Sequence, residues 1–410
     1  MKIGIGFGTK KNSLQLAKEV CEMALKESNI ARPSIVFAFC NDKVDFDGYF
    51  NCLKEIFGSN LPIVGGSSVG IITNTFLSYN EYTAGIVVVE SDSIEFVVAS
   101  ANNIDQNEKV AGETLAKKLS LGINNRSKLF MMFYDSIKIP AMPNSPPIMN
   151  ASPPLIAGIE SALSQMLPII GAGLMGDMYF SPTRQFCGDS VSQQSVVGVV
   201  ISGDFTPYFS IMHGCTPLDG IYHRITKMDG AVIYELDNKP IVGMIDRIYQ
   251  NSNWKNEHPV RLLTMGVNCG DKYAPWEEEK YVNRLISGVL PDESGVIIFE
   301  PDLTEGTEVQ FMLRDSRAMI RSAKENSRAL VERIVAAGKK PFFGLYIDCA
   351  GRASMISDTP SEEAAEVQQI CNSYGIPLFG IYSGVEVAPL LGKSRGLDWT
   401  GVLLIFAGDK

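Results

Sequence analysis

Apolar and polar positions along the chain repeat one order of predicted elements three times. Mostly apolar runs, typical of buried strands, occur at 33–40, 127–134 and 341–349. Each run is followed by a stretch with helix-like spacing, and then by a short apolar strand that ends in a Gly-rich turn. Because a repeat dictates the architecture of a chain, we predict that each copy forms strand, helix, strand, turn and strand.

The three Gly-rich turns share a Pro, two apolar residues, a Gly and then small residues. They read LPIVGGSSVG at 61–70, LPIIGAGLMGD at 167–177 and IPLFGIYSGVE at 376–386. A further strand follows each turn, at 83–89, 195–202 and 399–406. Small residues at the end of a strand let other groups approach the backbone, so these turns are candidates for gripping a ligand.

The predicted fold class is α/β, with mixed sheets in a layered sandwich, helices on the outer faces and two domains. Hairpins are as frequent as helical crossovers, which favours mixed pairing over one parallel sheet. Apolar spacing predicts helices at 12–29, 108–120, 155–166 and 312–337. The proline-rich stretch 136–154 predicts a long loop. The polar stretch 251–259 indicates a boundary between domains at 1–255 and 256–410.

Composition narrows the classes of partner. The chain has 410 residues and a net charge of −10, without a basic stripe, so we expect neither nucleic acid nor anionic membrane as a partner. No stretch approaches the roughly 18 apolar residues of a membrane span, and the N-terminal segment has no signal-peptide pattern. The eight cysteines are scattered without a CxxC pair, which indicates reduced thiols and a cytoplasmic location.

Three familiar motifs, for dinucleotide binding, zinc binding and serine hydrolysis, are not present in the form or context that they require. GAGLMG at 171–176 matches the GxGxxG dinucleotide pattern, but Pro182 and extended residues follow where that motif needs a helix. The three histidines have no zinc-ligand spacing, and GGSSVG is not the GxSxG elbow of a serine hydrolase. We therefore predict neither a dinucleotide site nor a metal site from these motifs.

The segment YIDCAGRASM at 346–355 carries the strongest candidate chemistry. Cys349 ends a strand and Arg352 lies in the small loop after it, where a guanidinium would favour the thiolate and could hold a ligand carboxylate. Glu386 on the third turn could accept a ligand amine, and Asp177 on the second turn could contact a ligand or cap a loop. A structural role stays open for each of these residues, since buried strand ends and internal ion pairs use the same residue types.

Several segments, taken in order, resemble the FIST proteins, which contain an N-terminal and a C-terminal FIST domain. GGSSVGII at 65–72 and IIGAGLMGD at 169–177 are similar to two turns of that family, and residues 213–240 are similar to the stretch that follows. RDSRAMIRSA, DCAGR at 348–352 and GIYSGVEVAP at 380–389 are similar to its C-terminal pattern. The resemblance covers nearly the whole chain.

This resemblance implies an intracellular sensory module that binds a small ligand such as an amino acid. Some bacterial members are associated with haem, so haem is a candidate cofactor, with His213, His223 and Cys215 as candidate axial ligands. In eukaryotes the C-terminal module accompanies an F-box and recognises proteins for ubiquitination. The chain departs from the family at Ile71, where a Glu is usual, and at Trp399, where polar side chains are usual.

We therefore predict a cytoplasmic, non-catalytic sensor that binds an amino-acid-like or carboxylate-bearing metabolite and signals through a downstream protein. The predicted ligand-binding residues are Gly66, Ser67, Ser68, Asp177, Cys349, Arg352 and Glu386. On this prediction, Arg352→Ala weakens ligand binding more than about 10-fold and leaves the fold intact. Two alternatives stay open: an enzyme with Cys349 as its nucleophile, and a protein-interaction adaptor without a small ligand.

Overall fold

The computed structural model describes residues 1–142 and 147–409. The helices in these segments are α1 (Ser13–Glu27), α2 (Phe46–Phe57), α3 (Glu108–Ser120), α4 (Ser152–Ala162), α5 (Ile241–Tyr249), α6 (Ser316–Ala336), α7 (Ser354–Ser357) and α8 (Ala364–Ser373). α1 and α3 lie where the apolar spacing predicts them, and the side chains of Asn12 and Asn107 cap their first turns. The helix predicted at 312–337 begins at Ser316, because the residues before it belong to a strand.

Strands form most of the remaining regular structure. In the first half of the chain they are β1 (Lys2–Thr9), β2 (Ile35–Cys40), β3 (Ile63–Ser67), β4 (Ile71–Thr73), β5 (Leu77–Ser78), β6 (Thr83–Glu90), β7 (Ile94–Asn102), β8 (Ser127–Asp135), β9 (Ile137–Ile139), β10 (Ile148–Met149), β11 (Ile169–Leu174), β12 (Gln185–Cys187), β13 (Ser190–Ser192), β14 (Ser195–Gly203) and β15 (Thr206–Met212). The loop predicted at 136–154 contains β9, β10 and the start of α4, and its residues 143–146 lie outside the described residues.

The second half of the chain adds the other strands. They are β16 (Cys215–Pro217), β17 (His223–Asp229), β18 (Val232–Leu236), β19 (Lys239–Pro240), β20 (Leu263–Asn268), β21 (Tyr281–Arg284), β22 (Ile286–Val289), β23 (Val296–Ile298), β24 (Glu308–Arg314), β25 (Lys339–Cys349), β26 (Leu378–Ser383), β27 (Val385–Leu390), β28 (Lys393–Leu397) and β29 (Gly401–Asp409).

The predicted repeat builds three mixed sheets of the same design. The strand orders are β1-β6-β2-β3-β12-β13 in the first sheet, β7-β14-β8-β11-β27-β28 in the second, and β15-β29-β25-β26-β4-β5 in the third. The pairs β2–β3, β8–β11 and β25–β26 are parallel, and the other pairs are antiparallel. We call the three copies unit 1 (2–90), unit 2 (94–203) and unit 3 (206–409).

Each unit gives the hairpin after its Gly-rich turn to the sheet of another unit. The hairpin β4–β5 of unit 1 pairs with β26 in the third sheet, β12–β13 of unit 2 pairs with β3 in the first, and β27–β28 of unit 3 pairs with β11 in the second. This exchange is cyclic, so the three turns are drawn to one end of the molecule.

Unit 3 differs from the other two by an insertion between β15 and α6. Residues 215–314 form a nine-stranded antiparallel sheet from β16 to β24. α5 and Trp254 pack against this sheet, and together they form an apolar cluster that is separate from the core between the three main sheets. We call these residues the inserted subdomain. The domain boundary predicted at 255 falls within its short helix Asn253–Asn256, and the division at that residue stays a prediction.

The three sheets pack around one apolar core, and the helices cover their outer faces. Alternate side chains of each strand point inward into this core. One aromatic ring from each sheet meets there: the ring centroid of Phe39, from the first sheet, lies 5.2 Å from that of Phe133 in the second and 6.0 Å from that of Phe379 in the third. The outward side chains pack against α1 and α2, α3 and α4, or α6 and α8. The layered α/β fold with mixed sheets is thus confirmed.

One glycine recurs at the same place in all three turns for a steric reason. A Cβ atom on Gly65 would lie 2.1 Å from the carbonyl oxygen of Ala38 on the parallel neighbour, and one on Gly171 would lie 1.9 Å from that of Met132. Gly380 faces the carbonyl of Tyr346 in the same way, at 2.8 Å. The third residue after each repeated Pro must therefore lack a side chain for the strands to pair closely.

Candidate functional site

The three Gly-rich turns meet through backbone hydrogen bonds. The amide of Val69 in the first turn donates to the carbonyl of Tyr382 in the third, at 3.2 Å. The amide of Gly384 in the third turn donates to the carbonyl of Gly173 in the second, at 2.8 Å. The amide of Asp42, beside the first turn, donates to the carbonyl of Gly176 in the second, at 3.1 Å. The turns therefore form a closed ring whose backbone groups largely satisfy one another.

Gly66, Ser67 and Ser68 lie inside this ring. A Cβ atom on Gly66 would lie 2.1 Å from the carbonyl oxygen of Arg184, so this position has no room for a side chain. The Ser67 hydroxyl accepts the amide hydrogen of Arg184 at 2.8 Å, and the Ser68 hydroxyl donates to the carbonyl of Gly70 at 2.6 Å. Both serines are buried, so in this conformation their polar groups hold neighbouring chain segments.

Asp177 organises the loop that follows the second turn. Its carboxylate accepts the amide hydrogens of Tyr179 and Ser181, at 2.9 and 3.1 Å, and the Ser181 hydroxyl at 2.6 Å. Burial and then the hydrogen bond and charge of Asp177 raise the pKa of Asp42 to about 6. Asp177 therefore lies at the junction of units 1 and 2, where it stabilises a loop and faces a second carboxyl group.

Arg352 is fully buried and has protein partners on every side. Its Nε donates to Asp348 at 2.9 Å, and one terminal nitrogen lies 2.8 Å from the Glu363 carboxylate. The other terminal nitrogen donates to the carbonyls of His213 and Trp399, at 3.2 and 3.1 Å. These contacts join three separate chain segments to the loop after β25.

Glu386 and Cys349 lie beside this network. Glu386 is fully buried and accepts the Ser383 hydroxyl at 2.9 Å and the Thr400 amide at 3.4 Å. Burial, and then the nearby Glu386 carboxylate, raise the pKa of the Cys349 thiol well above its usual value. Among the predicted site residues, the structure thus brings Cys349, Arg352 and Glu386 together, whereas the first two turns carry the others.

The residues that the sequence analysis missed are two buried carboxyl groups at the junction of unit 2, unit 3 and the inserted subdomain. Asp398 accepts the amide hydrogen of Leu285 at 2.9 Å, and Glu300 accepts the hydroxyl of Ser152 at 2.8 Å. In the described structure the second oxygen of each carboxyl group, Oδ1 of Asp398 and Oε1 of Glu300, has no hydrogen-bond partner. We call Glu300 and Asp398 the interfacial acid pair.

Charges around the acid pair do not neutralise it fully. Arg284 is buried beside it, but its guanidinium makes a two-pronged contact with Asp302, in which Nε lies 2.6 Å from Oδ1. Burial and then the charge of Asp398 raise the pKa of Glu300 to about 8. Burial raises the pKa of Asp398 to about 6, against the attraction of Arg284. The pair therefore retains protons at a pH where exposed carboxyl groups have lost theirs.

Other buried polar atoms nearby also lack partners within the described residues. They include the hydroxyl of Tyr134, Nε1 of Trp399 and Nε of Arg314. The Arg314 guanidinium lies 3.7 Å from the centroid of the Trp399 ring, where the two groups attract each other. Together with the acid pair and Glu386, these side chains form what we call the interfacial polar cluster. Asp398 directly precedes Trp399, one of the two positions where the chain departs from the family, and this was the one signal in the sequence that could have pointed to it.

The residues suggested for haem do not fit that group. Both ring nitrogens of buried His213 are engaged, Nδ1 by the Cys215 amide at 2.9 Å and Nε2 at 3.0 Å from the Glu278 carbonyl. Burial raises the pKa of Cys215 to about 12, and His223 contacts Asp237 at 2.7 Å. Within residues 1–142 and 147–409, no three His, Cys, Asp or Glu side chains converge in a geometry for a metal ion.

Two cavities lie outside the interfacial polar cluster. One, of about 30 Å³, is lined by apolar side chains at the end of the core opposite the turns, among them Val89, Phe96 and Phe343. The other is an open groove of about 410 Å³ between the β4–β5 hairpin and α8, lined by amides that include Asn74 and Gln368.

Of the helices in the described segments, none is long and apolar enough to cross a membrane.

Curated relatives are similar over part of the chain. An uncharacterized protein of Mycobacterium tuberculosis strain H37Rv is 27% identical over 240 residues, which cover 58% of this chain and 60% of the relative. An uncharacterized protein of Methanocaldococcus jannaschii is 24% identical over 342 residues, which cover 76% of this chain and 59% of the relative. The matches thus span about three fifths of the length of these relatives.

Solved structures show only weak likeness. A cyanuric acid hydrolase aligns over 99% of both chains with 10% identity and a TM-score of 0.33, and a chorismatase aligns over 92% of this chain and 93% of its own with 10% identity and a TM-score of 0.32. Scores this low support no conclusion about function.

The family comparison is much more specific. Since the FIST N domain matches residues 34–239 and the FIST C domain matches residues 246–389, the chain belongs to the FIST family, whose domains are sensory domains.

Proposed function

We propose that the protein is an intracellular sensor that binds a small, amino-acid-like or carboxylate-bearing metabolite in the interfacial polar cluster and signals through a protein partner. The observation that carries this proposal is a set of buried polar atoms that have no hydrogen-bond partner among residues 1–142 and 147–409: Tyr134 Oη, Glu300 Oε1, Asp398 Oδ1 and Trp399 Nε1. Each such atom costs about 1–3 kcal/mol when it is left unpaired in a protein interior. A ligand with complementary groups would recover that free energy.

The position of the cluster supports a sensor. Unit 2 contributes Tyr134, unit 3 contributes Asp398 and Trp399, and the inserted subdomain contributes Glu300. A ligand that contacts all of them would favour one arrangement of these parts over another. Differential affinity of this kind is what a conformational response requires. The eight free cysteines, seven of them buried, support a reducing compartment.

The predicted site residues take different roles in this proposal. Glu386, within the cluster, would contact the ligand. Arg314, whose Nε has no partner in the described part of the chain, would hold a ligand carboxylate. Arg352 and Cys349 would shape the wall of the site, because their groups are already engaged or packed. Gly66, Ser67, Ser68 and Asp177 would hold the ring of turns that positions Glu386.

Native mass spectrometry of freshly purified protein, together with a thermal-shift screen of amino acids and organic acids, tests the proposal. We expect a bound small molecule, or a rise in Tm with one ligand class that is lost in Trp399→Phe, which removes one unpaired donor but keeps an aromatic ring. Trp276→Phe, a partly exposed position in the inserted subdomain, is the matched control. Absence of any bound mass and of any response in the screen would contradict the proposal and favour the adaptor.

A further inference from the structure

A loop of the inserted subdomain presents large aromatic side chains to solvent. It comprises residues 269–280 and joins β20 to β21. Tyr273 is 90% exposed and Trp276 is 39% exposed, although they are only three residues apart. Exposed Tyr and Trp side chains that lie close together are typical of protein–protein interfaces, where they supply much of the binding free energy.

Hydrogen bonds within the loop hold it in one conformation. The amide of Cys269 donates to the carbonyl of Lys280 at 2.8 Å, which closes the loop. The Asp271 carboxylate accepts the amide hydrogen of Tyr273 at 2.9 Å, and the Asp271 carbonyl accepts that of Ala274 at 3.2 Å. A loop that is already ordered pays a smaller entropic cost when it binds a partner.

The segment before β17 extends this exposed surface. The ring of Tyr222 lies beneath the loop, with its centroid 4.6 Å from Nζ of Lys272, and its hydroxyl accepts the Asn268 side chain at 2.8 Å. Ile221, the residue before Tyr222, is 53% exposed. We call Ile221, Tyr273 and Trp276 the loop patch.

The charge around the loop patch is negative. The patch is bordered by exposed carboxylates that form no ion pair with any lysine or arginine of the described residues, namely Asp219, Asp271 and Glu279. The two lysines of the loop are already paired, Lys272 with Glu308 at 2.8 Å and Lys280 with Glu277 at 2.7 Å. A partner that covers the patch must therefore compensate carboxylates as well as bury aromatic rings.

From these features we infer that the loop patch docks a protein partner whose contact surface carries lysine or arginine side chains. Such cations are attracted to the faces of Trp and Tyr rings, and the bordering carboxylates attract them further. A second copy of this chain fits poorly, because a twofold contact would set the same carboxylates of both copies against each other. The inference extends the proposed function to its partner, and it rests on that function only for the existence of a downstream protein.

The loop is also tied to the rest of unit 3. Glu278, in the same loop, accepts the amide hydrogen of Gly214 and the hydroxyl of Ser322, both at 2.7 Å. Gly214 immediately precedes the inserted subdomain, and Ser322 belongs to α6. A ligand that shifts the inserted subdomain relative to unit 3 would therefore displace the loop patch, and this displacement would reach a docked partner.

Tryptophan fluorescence tests the inference, because Trp276 is the exposed one of the three tryptophans. Trp254 and Trp399 are each 1% exposed. The probe is a hexa-arginine peptide, and a hexaglutamate peptide is the control. We expect hexa-arginine alone to change the emission of the wild type, with no such change in Trp276→Phe. Its affinity should fall as the salt concentration rises, because salt screens exposed charges.

Two variants locate the binding, and each has a matched control. The affinity for hexa-arginine should fall about 5-fold or more in Tyr273→Ala and in Glu279→Lys. Tyr179→Ala removes a tyrosine that is 81% exposed on another loop, and Glu55→Lys makes the same change in net charge at an exposed position on α2. Both controls should bind hexa-arginine nearly as the wild type does. Urea unfolding checks that all four variants are folded.

Several outcomes would overturn the inference. Equal binding to all four variants would show that the peptide responds only to the net charge of the chain. Absence of an emission change with hexa-arginine, or an equal change with hexaglutamate, would show that the patch does not select cations. An emission change that depends on protein concentration without peptide would assign the patch to a second copy of the chain.

The result is separable from that of the metabolite screen. If a metabolite raises Tm but hexa-arginine fails these tests, the docking patch is wrong and the sensor proposal stands. If hexa-arginine binds at the patch but no metabolite produces a response, the docking patch stands and the adaptor replaces the sensor.

Discussion

The guanidinium of Arg352 lies 2.8 Å from the carboxylate of Glu363, and neither side chain is accessible to solvent. The same guanidinium also contacts Asp348, which is 1% exposed. The hydroxyl of Tyr346 donates to Glu363 at 2.7 Å from the outer face of β25. This network ties the loop after β25 to α8, and it gives Arg352 a structural role whether or not a ligand is bound.

Replacing Arg352 by Ala should destabilise the fold by about 3–5 kcal/mol, because it leaves buried Asp348 and Glu363 without their cation. The sequence analysis predicted instead that this substitution weakens ligand binding and leaves the fold intact. Urea unfolding measures the change. Lys324→Ala, which breaks the partly exposed pair with Glu366 at 3.2 Å, is the control and should cost less than about 1 kcal/mol. A stable Arg352→Ala protein with weakened ligand binding would restore the ligand role.

The Glu300 carboxyl group should make the protein less stable as the pH rises. Its pKa is about 8 in the folded state and near 4.5 in the unfolded chain, so the folded state binds more protons between these values and stability falls across them. Glu300→Gln removes this titration and should flatten the profile between about pH 5 and 8. Stability measured by urea unfolding across that range checks this, with Glu279→Gln, at an exposed position, for comparison. A wild-type profile that rises throughout the range would contradict the assignment.

Glu278 should hold the inserted subdomain against unit 3. Its carboxylate accepts the amide hydrogens of His213 and Gly214 and the hydroxyl of Ser322, the last two at 2.7 Å each. Burial opposes the charge, but His213 and these hydrogen bonds lower the pKa of Glu278 below its usual value. The stabilisation is therefore present above the unfolded pKa and lost as the pH falls through the lower folded one.

Glu278→Gln should consequently cost about 1–3 kcal/mol at pH 7 and speed amide exchange at Gly214 and around Ser322 in α6. Hydrogen exchange followed by mass spectrometry locates the effect. Glu279→Gln, the neighbouring position in the chain, is the control and should leave exchange unchanged. Faster exchange spread evenly over all three sheets would indicate a general loss of stability instead of a local contact.

The apolar cavity at the end of the core should tolerate one added methyl group. Val89 lines this cavity of about 30 Å³, so Val89→Ile should raise stability by about 0.5–1 kcal/mol. Val88 on the same strand points to the opposite face, into the closely packed layer beneath α1. Val88→Ile should therefore be destabilising by about 1–3 kcal/mol through overpacking. Calorimetric Tm values compare the two, and equal effects would show that the cavity does not matter.

The cysteine thiols should react in the order of their exposure. Burial raises the pKa of Cys349 and of Cys371, so both should be slow to alkylate at neutral pH. Cys269 is the one thiol of the eight that is not buried, and it should be labelled first. Time-resolved iodoacetamide labelling with peptide mass spectrometry gives the order. Rapid, selective labelling of Cys349 would revive the enzyme alternative.

Much of the secondary structure follows from local patterns. The apolar runs at 33–40 and 127–134 became β2 and β8, and the Asn-capped amphipathic stretches became α1 and α3. The insertion in unit 3 was less evident, because its strands are short and antiparallel hairpins leave only weak alternation in the sequence. The candidate site overlaps only partly with the sequence prediction: Glu386 lies in the interfacial polar cluster and Cys349 and Arg352 lie beside it, whereas Glu300 stands in no motif. A ligand-binding role for these residues stays a prediction.

By itself, the sequence determined the three repeated units, their Gly-rich turns and the membership of the family, since these depend on order and spacing along the chain. Only the tertiary structure decided that the hairpins are exchanged in a cycle, so that turns separated by more than a hundred residues hydrogen-bond to one another. It also decided that Arg352 is paired internally and that Glu300 and Asp398 are both buried where their chain segments bond to Leu285. Burial and charge pairing depend on which distant segments pack together, and no local pattern encodes that.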